Sequence, residues 1–215
     1  MSDMTANEVL TTTRTVRRRL DVTRAVPLDV IWECIEIALQ APTGGGVERW
    51  RWLVVTDAEQ RKGIAELYRD AALATFKANR DGAEDERTRK VYADAVSLAE
   101  RLEEVPAIVI PCSLGTPPAE SSGAAGFFGS ILPAAWSFQL ALRSRGLGSA
   151  YTTAGLSCEA ELRSLLGIPN DVTPAVILPV AYTIGTGFRP ARRSSVRSVS
   201  YIDRWGNAPA AIEGV

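Results

Sequence analysis

Two groups of arginines stand near the ends of the chain: Arg14, Arg17, Arg18 and Arg19 at the front, Arg189, Arg192 and Arg193 at the back. Between them a glycine-rich turn, Ala41-Pro42-Thr43-Gly44-Gly45-Gly46, feeds an aromatic run, Trp50-Arg51-Trp52. Guanidinium forks match phosphate oxygens, and glycine lets backbone N–H groups approach a flat or anionic ligand closely. Together these residues predict a phosphate-bearing ligand gripped by segments distant in sequence. In an extended or turn geometry, Arg14 and Arg17 converge with the Thr15 hydroxyl on one anion and leave Arg18 and Arg19 outside. Each charge-assisted bond contributes on the order of 1.5–3 kcal/mol, so two or three would anchor a phosphate. Arg192 and Arg193, beyond the last strand, are placed to reach the same phosphate from the far side. Taken singly, each feature also has a plainer reading: a solvated charged stretch, surface charge on an arm, an ordinary turn.

Other chemistries are excluded by residue type. The chain has no histidine, which removes a Ser-His-Asp or Cys-His dyad, HExxH zinc and an imidazole general base. No metal site is expected. The dinucleotide fingerprint fails, because Gly44-Gly45-Gly46 follows a helical pattern and Arg49 stands where the third glycine would be. Gly146-Leu147-Gly148 leads into a strand, the wrong order for that motif, and there is no GxxxxGK[ST]. The carboxylates of 84–104 read as a solvated helix face, and Phe127, Phe128, Trp136 and Phe138 as core or interface. Cys34, Cys112 and Cys158 lie far apart. Cys34 and Cys112 read as core thiols, and an odd, sparse count fits a reducing cytoplasm.

The elements that must position these residues follow from pattern. A chain of 215 residues, 46% hydrophobic and 23% charged, predicts a single domain, 1–215, with an extended C-terminal arm over 187–215. Net charge is −1, and of 24 basic residues 21 are arginine; placement matters more than total, and no nucleic-acid partner is expected. No apolar run reaches the roughly 20 residues of a membrane span. Helices are predicted over 27–40, from 57 to about 79 behind an Asp57/Gln60 capping box, over 84–104, and over 127–145. Ser157 is read as the cap of a further helix ending at Gly167. Strands are predicted over 50–56, 105–112, 149–153 and 175–184, the second read as an edge or irregular strand because of its prolines. Residues 113–125 read as a loop and candidate mobile cover. Helices alternating with about four strands give a layered arrangement around a small sheet.

At these residues the chain resembles the FMN-dependent nitroreductase family over nearly its whole length. Thr13-Arg14-Thr15-Val16-Arg17 resembles that family's Arg-Arg-Ser-x-Arg phosphate segment. Ala41 to Trp50 is similar to its Ala-Pro-Ser-x-x-Asn-x-Gln-Pro-Trp turn. Gly146-Leu147-Gly148 resembles its Gly-Leu-Gly exit, Tyr151-Thr152-Thr153-Ala154-Gly155 the backbone laid against the flavin ring, Pro179-Val180-Ala181-Tyr182 the final strand, and Arg192-Arg193 the last basic pair. Three positions depart from the family pattern. Thr13 stands for the first arginine, so that one phosphate bond is either missing or supplied by Arg18. Gly46 and Glu48 stand for Asn and Gln. A carboxylate beside a flavin would disfavour the reduced, anionic ring.

The resemblance implies an α+β fold, a three-layer α/β/α sandwich around a small mixed, mostly antiparallel sheet, as an obligate homodimer with the C-terminal arm exchanged onto the partner. It implies FMN held by Arg14, Thr15, Arg17, Pro42, Thr43, Gly44, Thr153, Ala154, Gly155, Arg192 and Arg193, with a backbone N–H of 153–155 toward flavin N5 and no catalytic side chain. NAD(P)H would be the electron donor and a nitroaromatic, quinone or flavin-like molecule the acceptor, by a ping-pong mechanism. Rival readings are a non-catalytic FMN store or sensor, and the same enzyme class with another reaction, such as reductive dehalogenation.

Overall fold

One strand, Ala107–Leu114, organises the chain, because its alternate residues enter two different cores. Ile108, Ile110 and Cys112 join one apolar cluster, while Ala107 and Val109 join the other. A computed structural model describes residues 4–209; the end of the expected arm, 210–215, lies outside the described residues. The strands are β1 (Leu20–Asp21), β2 (Trp50–Val55), β3 (Ala107–Leu114), β4 (Leu147–Ser149), β5 (Val172–Pro174) and β6 (Leu178–Thr183). They form a sheet of order β1-β6-β3-β2, with β4 added to β6 and β5 to β3. All of these pairings are antiparallel, and a parallel bridge joins Thr15 to Ser149.

Among the described residues there are six α-helices: α1 (Ala6–Thr12), α2 (Leu28–Ala38), α3 (Ala58–Asp81), α4 (Glu86–Arg101), α5 (Ser121–Ser144) and α6 (Glu159–Leu166). The first core packs α3, α4 and α6 on one sheet face through Ile64, Leu98 and Leu162. The second packs α2 and α5 on the other through Ile31, Cys34, Phe138 and Leu142. This is the expected three-layer sandwich. Burying each large aliphatic side chain contributes about 1.5–3 kcal/mol, so the alternation along β3 ties both layers together.

Several local expectations are corrected. Among the described residues there are six strands rather than four, because β1 and β5 lie outside every predicted run. The run expected over 175–184 begins only at Leu178, since Ala175 N–H donates to Pro111 O and Ile177 N–H to Thr152 O. β3 is interior, between β6 and β2; Pro111 contributes only its carbonyl, which accepts that Ala175 bond at 2.9 Å. α5 starts at Ser121, six residues earlier than the pattern indicated, so the loop shrinks to 115–120. Small polar residues there read as loop, yet Gly123 packs so closely on Pro118 that an added Cβ would lie 2.7 Å from its ring. At 24 residues α5 is long and apolar enough to cross a membrane by length and composition. Its Ile131, Ala134, Ala135, Phe138 and Leu142 are instead buried in the domain. Only half of the Asp57/Gln60 box forms, with Asp57 accepting from Gln60 N–H at 3.0 Å while Gln60 Oε1 stays unpaired. Ser157 does not cap α6; it lies inside the preceding 3-10 turn and donates to Ala154 O.

Cys34 and Cys112 are fully buried, and burial raises their thiols to about 11 and about 12 respectively, whereas Cys158 is half-exposed. Thiolate is the reactive form. A thiol reagent at pH 8 should therefore label Cys158 first and reach all three cysteines only after denaturation, as mass spectrometry of the labelled protein would show. Labelling of Cys34 in the native state would contradict this packing.

Candidate functional site

The segment between α1 and β1 is held in place by its apolar residues, and its arginines are aimed by them. Val16 and Leu20 are buried, and Val16 N–H donates to Ser149 O at 2.9 Å, which ties the segment to β4. Arg14 and Arg17 are then half-buried, while Arg18 turns outward to an ion pair with Asp94 at 2.6 Å. Thr15 joins through its backbone, in the bridge to Ser149. The chain turns at Arg17, whose carbonyl accepts from Leu20 N–H. That turn brings Arg19 back inward, against the expectation that it lies outside. Arg19 Nε donates to Ile184 O at 2.7 Å, and its guanidinium sits over the Phe188 ring at 4.0 Å.

A residue that pattern alone did not single out completes the group. Arg143, near the end of α5, stands 4.6 Å from the Phe188 ring, and its Nε donates to Thr12 Oγ1 at 3.3 Å. Burial lowers the Arg143 pKa, and the neighbouring Arg19 and Arg14 lower it further. Burial and then Arg193 do the same to Arg14, whose guanidinium also donates to the carbonyls of Thr11, Thr13 and Arg189. Among the described residues none of Arg14, Arg17, Arg19, Arg143 and Arg193 forms an ion pair. Partly desolvated arginines that repel one another and form no ion pair favour an anion. A cavity of about 370 Å³ opens beside Glu8, Thr12, Arg143, Arg145 and Phe188.

Thr13 leaves no gap for Arg18 to fill. Its side chain is buried and its hydroxyl donates to Val9 O at 2.6 Å, while Arg18 is committed to Asp94. The extra cations are Arg19 and Arg143. The sequence signal for Arg143 was its position as the first charge after the uncharged body of α5.

A second part of the site lies around Tyr68. Its hydroxyl is 3.0 Å from Thr152 Oγ1, and Arg17 is near enough to act on it. Burial raises the Tyr68 pKa, opposed by the Thr152 hydrogen bond and the Arg17 charge. Thr153 caps the 3-10 turn that follows, and Ala154 and Gly155 open it, with Gly155 lying against the Tyr68 ring.

The glycine turn is elsewhere. Gly44 N–H donates to Ser130 Oγ at 2.9 Å, and Gly44, Val47, Arg49, Phe127 and Ser130 border a cavity of about 520 Å³. Pro42 is exposed and Thr43 half-buried. Gly45 and Gly46 take φ of 64° and 69°, which explains glycine there. Ser130 and Arg143 are thirteen residues apart on α5, roughly 20 Å along the axis. One chain therefore does not bring Pro42, Thr43 and Gly44 to the arginine cluster. Arg192 and Arg193 are both exposed: the charge of Arg193 lowers the Arg14 pKa, while Arg192 offers its carbonyl to Arg87. Glu48 is exposed. Among the described residues no group of three metal-binding side chains is present.

The sequence model of the Nitroreductase family matches residues 10–182. The chain is 29% identical over 159 residues to an iodotyrosine deiodinase of Drosophila melanogaster, a match covering 72% of this chain and 54% of the fly protein; it thus spans about half the length of that relative. Among solved structures it resembles an oxidized iodotyrosine deiodinase bound to FMN and 3-iodo-L-tyrosine, with TM-score 0.68 and 21% identity over 94% of this chain and 98% of that one. It also resembles an FMN and NADPH-dependent nitroreductase from Sphigopyxis sp. strain HMH, with TM-score 0.68 and 20% identity over 94% of this chain and 100% of that one. At these identities the structural likeness speaks for the fold.

Proposed function

Because the chain belongs to the nitroreductase family, we propose that it is an FMN-dependent oxidoreductase that passes two electrons from NAD(P)H to a small acceptor, a nitroaromatic, quinone or flavin-like molecule. The observation that carries this reading is the uncompensated arginine group, Arg14, Arg19, Arg143 and Arg193, which suits a phosphate dianion. Bound FMN would supply the hydride-accepting N5 and the two-electron store. The chain's own contribution is electrostatic and positional. Arg14, Arg17, Arg143 and Arg193 would hold the phosphate, Arg19 would add charge behind them, and the Thr153–Gly155 backbone would face the ring. No side chain needs to move a proton, in keeping with the lack of histidine, and donor and acceptor would use one site in turn.

A second copy of the chain would complete the site. Trp32 is 47% and Trp136 41% exposed on the outer faces of α2 and α5, and the arm carries Val196, Val199 and Trp205 at 74%, 65% and 90% exposed. Apolar surface of this kind is what a homodimer buries. A partner's Pro42-Thr43-Gly44 turn would then reach an arginine cluster that this chain's own turn does not. The free cysteines are in keeping with a reducing cytoplasm.

A second reading, reductive dehalogenation, is favoured by the relatives named iodotyrosine deiodinase, one of them with 3-iodo-L-tyrosine bound. The test is to record the visible spectrum of the purified protein with added FMN, then add NADPH and NADH separately without oxygen. A flavin spectrum that bleaches supports the oxidoreductase, and turnover with a nitroaromatic or iodide release from 3-iodo-L-tyrosine separates the two reactions. Bound flavin that neither nucleotide nor dithionite-driven acceptor turnover engages would mean a store or sensor instead. Absence of flavin binding would overturn the proposal.

A further inference from the structure

We propose that Tyr68 is a positioning residue that holds the Thr152–Gly155 backbone in the shape it presents to the ligand; this rests on the reading that the segment faces a flavin ring. Tyr68 meets the segment at both ends. Its hydroxyl is 3.0 Å from Thr152 Oγ1, and that oxygen also accepts from Ala154 N–H at 3.4 Å. At the other end its ring underlies Gly155, where an added Cβ would stand 3.1 Å from Tyr68 Cδ2 and 2.9 Å from Ile177 Cδ1. The Thr152 backbone is itself clamped, donating to Ile177 O at 3.2 Å and accepting from Ile177 N–H at 2.8 Å.

Tyr68 is suited to this task because it cannot easily move. It is 2% exposed, sits within the 24-residue α3 among the buried Ile64, Ala65 and Ala72, and packs on Phe76 with ring centroids 6.2 Å apart. A side chain locked by packing transmits its position to whatever it bonds. The Thr152 hydroxyl then serves as a relay: it joins α3 to the Ala154 amide at the start of the turn.

The test uses Tyr68→Phe, which removes the hydroxyl and keeps the ring, and Thr152→Val, which removes it from the loop side without touching α3. In the FMN-free protein, hydrogen exchange over 153–155 should quicken by about three- to tenfold in both variants, the loss of one hydrogen bond. With FMN added, both should shift the flavin's visible band and midpoint potential in the same direction. The double variant should be no worse than either single one, because the two groups act as a pair, and Thr152→Ser should behave as the parent. Wild-type exchange and an unshifted flavin spectrum in Tyr68→Phe and Thr152→Val would overturn the proposal, as would full additivity of the two changes. Failure of the parent protein to bind FMN would overturn the functional reading, while the exchange result would still judge Tyr68.

Discussion

Arg143→Ala should raise the Kd for FMN by roughly 10- to 100-fold, the equivalent of one charge-assisted hydrogen bond, while leaving the ligand-free protein nearly as stable as before. Both effects come from the same geometry. In the ligand-free chain Arg143 is crowded by Arg19 and Arg14 and partly desolvated. Removing it relieves repulsion but forfeits the packing on Phe188 and the bond to Thr12 Oγ1. These contributions oppose one another, so thermal denaturation without FMN should shift little. With a phosphate in the recess the repulsion becomes attraction, and only then is the charge missed. Arg143→Lys should restore part of the affinity, since it keeps the charge and loses the fork. The control is Arg101→Ala, which removes an exposed pair with Glu104 far from the cluster and should leave FMN binding unchanged. Fluorescence titration of FMN against the three variants decides the matter. Equal affinity in Arg143→Ala and Arg101→Ala would remove Arg143 from the phosphate site. The wild-type affinity should also weaken as salt rises, because the cluster acts through its charge.

Gly148→Ala should lower stability by about 1–3 kcal/mol, the usual cost of forcing extra volume into a packed core. The melting midpoint should fall by roughly 2–10 °C for a chain of this size. The added Cβ would stand 2.8 Å from Thr183 Cγ2, 2.9 Å from Val16 Cγ2 and 3.2 Å from Val16 Cβ. Both neighbours are β-branched, so neither can swing aside within its rotamers. Val16 is also pinned by its hydrogen bond to Ser149. The displacement should therefore pass to the backbone between Arg14 and Arg17, and FMN affinity should fall along with stability. Gly187→Ala, where an added Cβ meets nothing within 4 Å, supplies the control. Should Gly148→Ala melt and bind FMN like the parent, β4 and the arginine segment would not be packed as described.

Gly146 and Gly148 illustrate how differently two residues of one motif are legible. Gly146 takes φ 75° just after α5, a role that its place at the end of a helical pattern announces. Gly148 is glycine because Val16, well over a hundred residues earlier, lies against it, and no local pattern carries that. The same division runs through the site. The front arginines, the Ala41–Gly46 turn and the 152–155 segment were all legible as types and spacings, and they named the family. Which arginines meet was not. Strand parity placed Arg19 outside, whereas a turn at Arg17 brings it onto Phe188.

Read along the chain, Tyr68 is one more apolar-face residue of α3, and Arg143 merely the first charge of α5. Each acquires meaning only from a partner brought to it by the fold: Thr152 in one case, Arg14, Arg19 and Phe188 in the other. By itself, then, the sequence determined what depends on neighbours a few residues away: the helical and strand periods, the glycines with positive φ, the absence of imidazole chemistry, and the motif order of the family. Tertiary structure alone decided the interior position of β3, the pairing of Tyr68 with Thr152, the uncompensated arginine cluster, and the separation of that cluster from the glycine turn along α5. The reason is physical: hydrophobic burial is non-directional and cares only that an apolar face is covered, whereas a charge cluster or a hydrogen-bonded pair is set by where that burial carries residues far apart in sequence.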